Sequence, residues 1–217
     1  MSANLQIAIV DVGLGNLRSV ERALVRAAED AGVSANVAIT LDPDAIARAD
    51  KVVVPGQGAF RDCARALAAD GNGLGDAVLG SIRRGTPYLG ICLGMQVLFG
   101  SSEEAPGCGG LGVFEGDVGL LPDRGPSGEV LKIPHIGWNT VQCQAGANGP
   151  LPTDPTYFYF VHSYAVRPKD PKIILATTAY GAPLVSAVGK DNVLAVQFHP
   201  EKSQEAGLAL LARFLRA

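Results

Sequence analysis

Over the first hundred residues, short solid apolar runs alternate with stretches whose apolar residues recur every three or four positions. Ile7 to Val10 is one such run, and Val37–Ile39, Val52–Val54 and Tyr88–Ile91 are the next three. Unbroken apolar runs of this length read as strands buried on both faces. Between them, Asn16–Ala28 places Leu17, Val20, Leu24 and Ala27 on one helical face. Ala59–Ala69 does the same with Phe60, Ala64 and Leu67, and Leu74–Arg84 and the residues after Cys92 are also helix-compatible. Pro55-Gly56 is expected to stop the third strand. Repeated strand-helix-strand units predict a parallel sheet with helices on both faces.

From Val113 the period changes. Val113–Leu121, Gly137–Val141, Tyr157–Val161, Ile173–Thr178, Leu184–Val188 and Leu194–Phe198 are short β-rich runs separated by Gly, Pro, Asn or Asp. They predict antiparallel or mixed strands. Leu208–Leu215 closes the chain as an amphipathic helix, and Gly107–Gly112, Pro122–Gly128 and Ala145–Pro155 read as loops. With no repeat and no compositional break, the expectation is one α/β domain over residues 1–217: a central, mostly parallel sheet flanked by helices, with additional antiparallel strands.

Composition narrows the function. A net charge of −3 offers no basic surface for nucleic acid or an anionic membrane, and no apolar run is long enough to span a bilayer. The start of the chain lacks the basic flank of a signal peptide. Cys63, Cys92, Cys108 and Cys143 are too scattered for a disulfide framework or a zinc ribbon. A reducing, cytoplasmic location is the simplest expectation. Cys63, Cys108 and Cys143 carry no functional signal.

Cys92 does. Gly90-Ile91-Cys92-Leu93-Gly94-Met95-Gln96 sets a thiol between two glycines where a strand gives way to a helix, the pattern of a nucleophile elbow. The glycines free the bend of side chains, and a helix N-terminus favours thiolate. Against this stands a plain buried cysteine, the commoner case for a lone Cys. The rest of a constellation is present, however. In Gln197-Phe198-His199-Pro200-Glu201-Lys202, a strand ends in His199 and Glu201 follows two positions on. In extended chain the two point the same way, so the carboxylate can fix the imidazole tautomer while the other ring nitrogen faces Cys92. Gly56, Gln57 and Gly58, after a central strand, can turn backbone N–H groups toward a ligand, and the N–H of Leu93 can complete an oxyanion hole.

Three further segments are notable. Asp11-Val12-Gly13-Leu14-Gly15-Asn16 has Arg18 where a dinucleotide fingerprint needs its third glycine, so a cap or a partner contact at Asn16 is the better reading. Pro134-His135-Ile136-Gly137-Trp138-Asn139 holds the single Trp. Tyr159-Phe160-Val161-His162-Ser163-Tyr164 ends a strand in polar groups.

Taken together these segments resemble the class I, triad-type glutamine amidotransferases. Gly90–Gln96 matches their nucleophile elbow and Gln197–Lys202 their His/Glu segment. The segments at 11–17, 55–60, 134–139 and 159–164 narrow the resemblance to the glutaminase subunits of imidazole glycerol phosphate synthases. Val12 departs from the pattern, where Tyr is usual, and so does Gln57, where Val is usual. The resemblance implies hydrolysis of glutamine by Cys92, His199 and Glu201, with neither metal nor cofactor. It implies substrate contacts at Gln96, Ser163 and Tyr164, with backbone groups of the last two dominating. It also implies a heterodimer with a (β/α)8-barrel cyclase that uses the ammonia, with Asn16, Trp138, Tyr164 and Lys202 at the interface. Two alternatives stand beside it, a glutaminase subunit for another acceptor and a catalytically silent activating subunit.

Overall fold

A computed structural model describes residues 4–68, 73–144, 146 and 149–217. Nine strands form one sheet in the order β2-β1-β3-β4-β11-β10-β9-β6-β7. The parallel part consists of β1 (Leu5–Val10), β2 (Ala35–Thr40), β3 (Lys51–Gly56) and β4 (Tyr88–Cys92), joined by the late strand β11 (Val193–Val196), which also runs parallel to β4. The connecting helices are α1 (Leu17–Ala31), α2 (Pro43–Arg48), α3 (Phe60–Ala68) and α4 (Leu74–Arg83). A single turn, α5 (Leu93–Gln96), follows Cys92, and α6 (Gln204–Arg216) ends the chain.

The two-residue period of the strands sorts the core into two layers. Ala8 and Val10 of β1, Val52 and Val54 of β3 and Tyr88 of β4 pack with Ile46 of α2, Phe60 and Leu67 of α3 and Val78 of α4. Their neighbours Ile7, Ile9, Val53, Leu89 and Ile91 face the other way, onto Val20, Leu24 and Ala27 of α1 and Leu210, Leu211 and Phe214 of α6. Each Val, Leu, Ile or Phe among these side chains contributes about 1.5–3 kcal/mol on leaving water, so both layers hold the sheet between them. The helix ends are tied locally. The Asn16 side chain accepts from Ser19 N at the start of α1, and Gly32 closes it in the left-handed region with φ 65°.

The second half is antiparallel, as the sequence pattern predicts. β6 (His135–Cys143) and β7 (Thr156–His162) form a ribbon joined through β9 (Ile174–Tyr180) and β10 (Ala182–Lys190) to β11. A separate two-stranded ribbon pairs β5 (Gly116–Leu120) with β8 (Tyr164–Pro168).

Several boundaries move. β3 runs through Pro55 and Gly56, opposite Ile91 and Cys92, instead of stopping before them. The Ala59–Ala69 helix spans Phe60–Ala68, and Ala69 lies outside the described residues. The same holds for 145, 147 and 148 of the expected 145–155 loop. The Val113–Leu121 strand shortens to β5. The helix α2 and the strand β8 were not foreseen. Among the described residues no helix is long and apolar enough to cross a membrane.

The last helix matters to the site because it packs on the turn after β11. A Cβ on Gly207 would collide with the backbone carbonyl of Pro200, the residue next to His199. Gly207→Ala should therefore cost at least about 2 kcal/mol of stability, read from urea unfolding, since neither partner is a flexible side chain.

Candidate active site

Strand order sets the site. β4 carries Cys92 at its carboxyl end, flanked by β3 with its Gln57–Gly58 loop and by β11 with His199. Three segments far apart in sequence thus converge on one edge of the parallel sheet, where α/β folds place their ligands.

Cys92 adopts φ 54° and ψ −103°, a left-handed turn that a non-glycine residue rarely takes. The turn is tight because nothing intrudes on it. A Cβ at Gly90 would strike the Gly94 carbonyl, and one at Gly94 would strike the carbonyl of Val54 on β3. At Gly56 it would come within 2.7 Å of the Leu93 Cβ. The glycines let α5 lie directly against β3, which brings Leu93 and the Gln57–Gly58 loop to the wall of one cavity. Gly58 itself has φ 129°, and loop 13–15 backs it, with Leu14 against Gly58 and Gly15 against Gln57 N.

His199 is 1% exposed. Its Nδ1 donates to Glu201 Oε1 at 2.7 Å, while its Nε2 has no hydrogen-bond partner among the described residues. Gln57 Nε2 also lies 3.4 Å from Nδ1. An Nδ1–H already given to a carboxylate has no lone pair to accept a second donor, so this is a contact rather than a bond. Glu201 therefore fixes the tautomer and leaves Nε2 as the working nitrogen. Burial would lower the proton affinity of this imidazole, but Cys92 and Glu201 outweigh it and push its pKa up to about 9. An imidazolium beside the sulfur is the partner a thiolate needs.

A cavity of about 280 Å³ opens onto Cys92. Gln57, Gly58, Leu93, Gln96, Ser163, Tyr164 and Lys202 line it, all of them expected from the sequence, together with Glu104, Pro134, Val161 and His162. The structure thus gathers these residues around one space, while the expected Gly56, His199 and Glu201 are not part of its lining. Two of the lining residues are already engaged through their carbonyls. The Tyr164 carbonyl is occupied, accepting from Gln96 Nε2 at 3.1 Å and His162 Nδ1 at 2.9 Å, and the Ser163 carbonyl accepts from Leu121 N. The Tyr164 carbonyl has thus used both lone pairs, whereas the Ser163 carbonyl keeps one for a ligand.

Of the expected interface residues, Trp138 and Lys202 both border Tyr159, Trp138 edge-on at 6.1 Å and the Lys202 ammonium 5.9 Å from the ring centre. Trp138 is 46% exposed, and Ile136 and Tyr157 on the same ribbon are also exposed. Tyr164 lies deeper, in the cavity wall. Asn16 is at the cap of α1, one residue beyond the loop that backs Gln57.

Three residues escaped the sequence reading. Glu104 lines the cavity while one oxygen accepts from Phe60 N at 2.9 Å. The Ser203 hydroxyl donates to the His199 carbonyl and accepts from Tyr159 N, bolting the base to β7. Gln197, fully buried, donates to Cys92 Sγ at 3.4 Å. Only Gln197 had a signal, its place two residues before His199. Glu104 and Ser203 stand in segments whose pattern says nothing of a site.

The family model for glutamine amidotransferase class-I matches residues 9–217. The chain belongs to that family. Among curated relatives, it is 45% identical to the imidazole glycerol phosphate synthase subunit HisH of Rhodospirillum rubrum, over 98% of this chain and 99% of that one. It is 47% identical to the subunit of the same name from Neisseria meningitidis, over 97% and 99%. Solved structures agree on the fold. A glutamine amidotransferase crystal structure superposes with TM-score 0.69 at 20% identity, covering 97% of this chain and 99% of that one. The glutaminase domain of Trypanosoma brucei CTPS gives 0.67 at 19%, covering 98% and 94%.

The chain's three histidines divide by charge. Burial pushes His135 and His162 down to about 4, while His199 is raised to about 9. A raised group stabilises the fold fully below its unfolded value of 6.5 and loses that contribution as pH rises through about 9. The two lowered groups do the reverse, costing stability as pH falls from 6.5 toward about 4. Histidine's share of folding stability should therefore peak near pH 6.5, and NMR titration should place His199 well above the other two. Cys92→Ser should lower the His199 midpoint; a midpoint that stays near 6.5 in the unaltered chain would contradict this arrangement.

Proposed function

We propose that this chain is the glutaminase subunit of an imidazole glycerol phosphate synthase, its 217 residues acting as one unit that hydrolyses glutamine and hands ammonia to a synthase partner. The observation that carries the chemistry is Cys92 opening onto a cavity beside Leu93 and the Gln57–Gly58 loop, with a buried, Glu201-bonded His199 raised in pKa by the same sulfur. The specific pathway rests on the nearly full-length relatives that bear that subunit's name.

The geometry supports the following reaction. Cys92 thiolate attacks the side-chain amide carbon of glutamine, and the oxygen that becomes negative sits against the N–H groups of Leu93 and the Gln57–Gly58 loop. His199, protonated and held by Glu201, gives its proton to the departing nitrogen, so ammonia leaves and a glutamyl thioester remains. Neutral His199 then takes a proton from water, which attacks the thioester carbon. Glutamate departs, and the thiolate–imidazolium pair is restored. In sum, glutamine and water give glutamate and ammonia, the new carboxyl group releasing its proton to solvent. Gln96, Ser163 and Tyr164 form the wall along the substrate, and the Glu104 carboxylate suits the α-ammonium of a free amino acid.

Ammonia released to water at neutral pH becomes mostly ammonium, which is no nucleophile. A partner seated over the cavity prevents that loss, and the reading takes this partner to be a (β/α)8-barrel cyclase in a heterodimer. The exposed Ile136–Trp138–Tyr157 face beside Lys202 is the natural seat, because aromatic and apolar groups dominate interface cores. A cytoplasmic location completes the reading, since a reducing compartment keeps the four unpaired cysteines as thiols.

Two expected outcomes test it. Cys92→Ala should cut glutamine-driven synthesis by at least about 10³-fold while ammonium-driven synthesis with the partner persists. Glutamine turnover surviving that substitution rejects the mechanism, and failure to co-purify with a cyclase barrel rejects the pathway. Glu104→Gln, whose amide oxygen can still cap Phe60 N, should raise the KM for glutamine about tenfold with a smaller change in kcat.

A further inference from the structure

A buried chain of amides and histidines ends on the nucleophile, and its direction can be deduced. The Tyr164 carbonyl can only accept. Gln96 Nε2 lies 3.1 Å from it, so the amide nitrogen of Gln96 faces that carbonyl. The same nitrogen lies 3.1 Å from Gln197 Oε1, which uses its second hydrogen and turns the oxygen of Gln197 toward Gln96. The nitrogen of Gln197 is left facing Cys92 Sγ, 3.4 Å away. On the other side, His162 Nδ1 must donate to the Tyr164 carbonyl. Its Nε2 then accepts from His135 Nδ1 at 3.1 Å, and His135 Nε2 accepts from Asn139 Nδ2 at 3.2 Å. One acceptor-only oxygen thus orients every group in the chain.

We propose that Gln197 is a further catalytic residue, a fixed N–H donor to the Cys92 sulfur, held by Gln96, and that His162 and His135 are positioning residues acting through the Tyr164 carbonyl. Gln197 is level with Cys92 across the sheet, one residue past the Val196–Ile91 pair, and its backbone N–H is tied to the Ser186 carbonyl. It is fully buried, so its amide has no water to turn toward. A donor there stabilises the sulfur when it is anionic: in the resting thiolate, and again when the thioester C–S bond breaks and the electron pair returns to sulfur. His135 and His162 can serve as one-way links only while neutral, and burial favours that form in both.

The inference rests on Cys92 being the nucleophile, but its test needs no turnover. The pH dependence of Cys92 alkylation by iodoacetamide is measured on the full chain, with peptide mass analysis to separate Cys92 from Cys108 and Cys143. Other titratable groups facing the sulfur are His199, Cys63 on α3, and Glu104, His162, Tyr164 and Lys202 around the cavity. Substitutions at Gln197 leave all of them in place. Gln197→Met should raise the alkylation midpoint by about one pH unit, tenfold less thiolate below it, and should lower kcat for glutamine more than it changes KM. Gln96→Met, which frees the Gln197 amide to rotate, and His162→Phe should shift the midpoint the same way by less. An unchanged midpoint in folded Gln197→Met overturns the proposal, and if that variant does not fold, an unchanged midpoint in Gln96→Met does so. Glutamine hydrolysis that survives Cys92→Ala instead overturns the reading beneath it.

Discussion

The structure depends on a steric fact at one peptide: Gly94 touches the Val54 carbonyl, and only an absent side chain allows it. That contact presses α5 onto β3 and forces the chain to reverse at Cys92 in a left-handed conformation costing about 1–3 kcal/mol. Strain of this kind persists because its neighbours over-determine it. β4 is buried on both faces and paired on both edges, by β3 and by β11, so the strand cannot relax without breaking two ladders. The two flanking strands bring the Gln57–Gly58 loop and His199 to either side of Cys92.

Charge in the site is decided by competition rather than by burial alone. His135, His162 and His199 are all buried. For two of them desolvation prevails, whereas His199 has an anionic carboxylate on one nitrogen and a sulfur near the other, and these overcome it. Three buried imidazoles are thus pushed in opposite directions, two toward the neutral form and one toward the protonated form.

Much of this was legible in the sequence because it is local. Solid apolar runs marked the buried parallel strands, and Gly90 and Gly94 marked the elbow; the His199–Glu201 pair meets as expected, but through a 3-10 turn over Pro200–Lys202 rather than the extended chain the spacing assumed. What escaped depends on contacts between distant segments. α2 is a single short helix begun by Pro43 with only Ile46 buried, too brief to establish a period. β8 follows β7 after Ser163 alone, so two strands in different sheets read as one run with a polar end. Pro55 looked like a stop because proline usually ends a ladder, yet it pairs with Ile91 inside the sheet. Glu104 and Ser203 act through backbone groups 44 residues away, which no spacing rule records.

The Ser203 tie has a mechanical side. The His199 N–H is bonded to the Tyr159 carbonyl at 2.9 Å, and the Ser203 hydroxyl bridges the same two residues in the other direction. Tyr159 stands beside Trp138 and under Lys202, on the exposed ribbon. The imidazole is thus mounted on the outer strand as a key is mounted on its shaft. A load that tilts the β6–β7 ribbon turns the base relative to the sulfur, with no loop in between to absorb the motion.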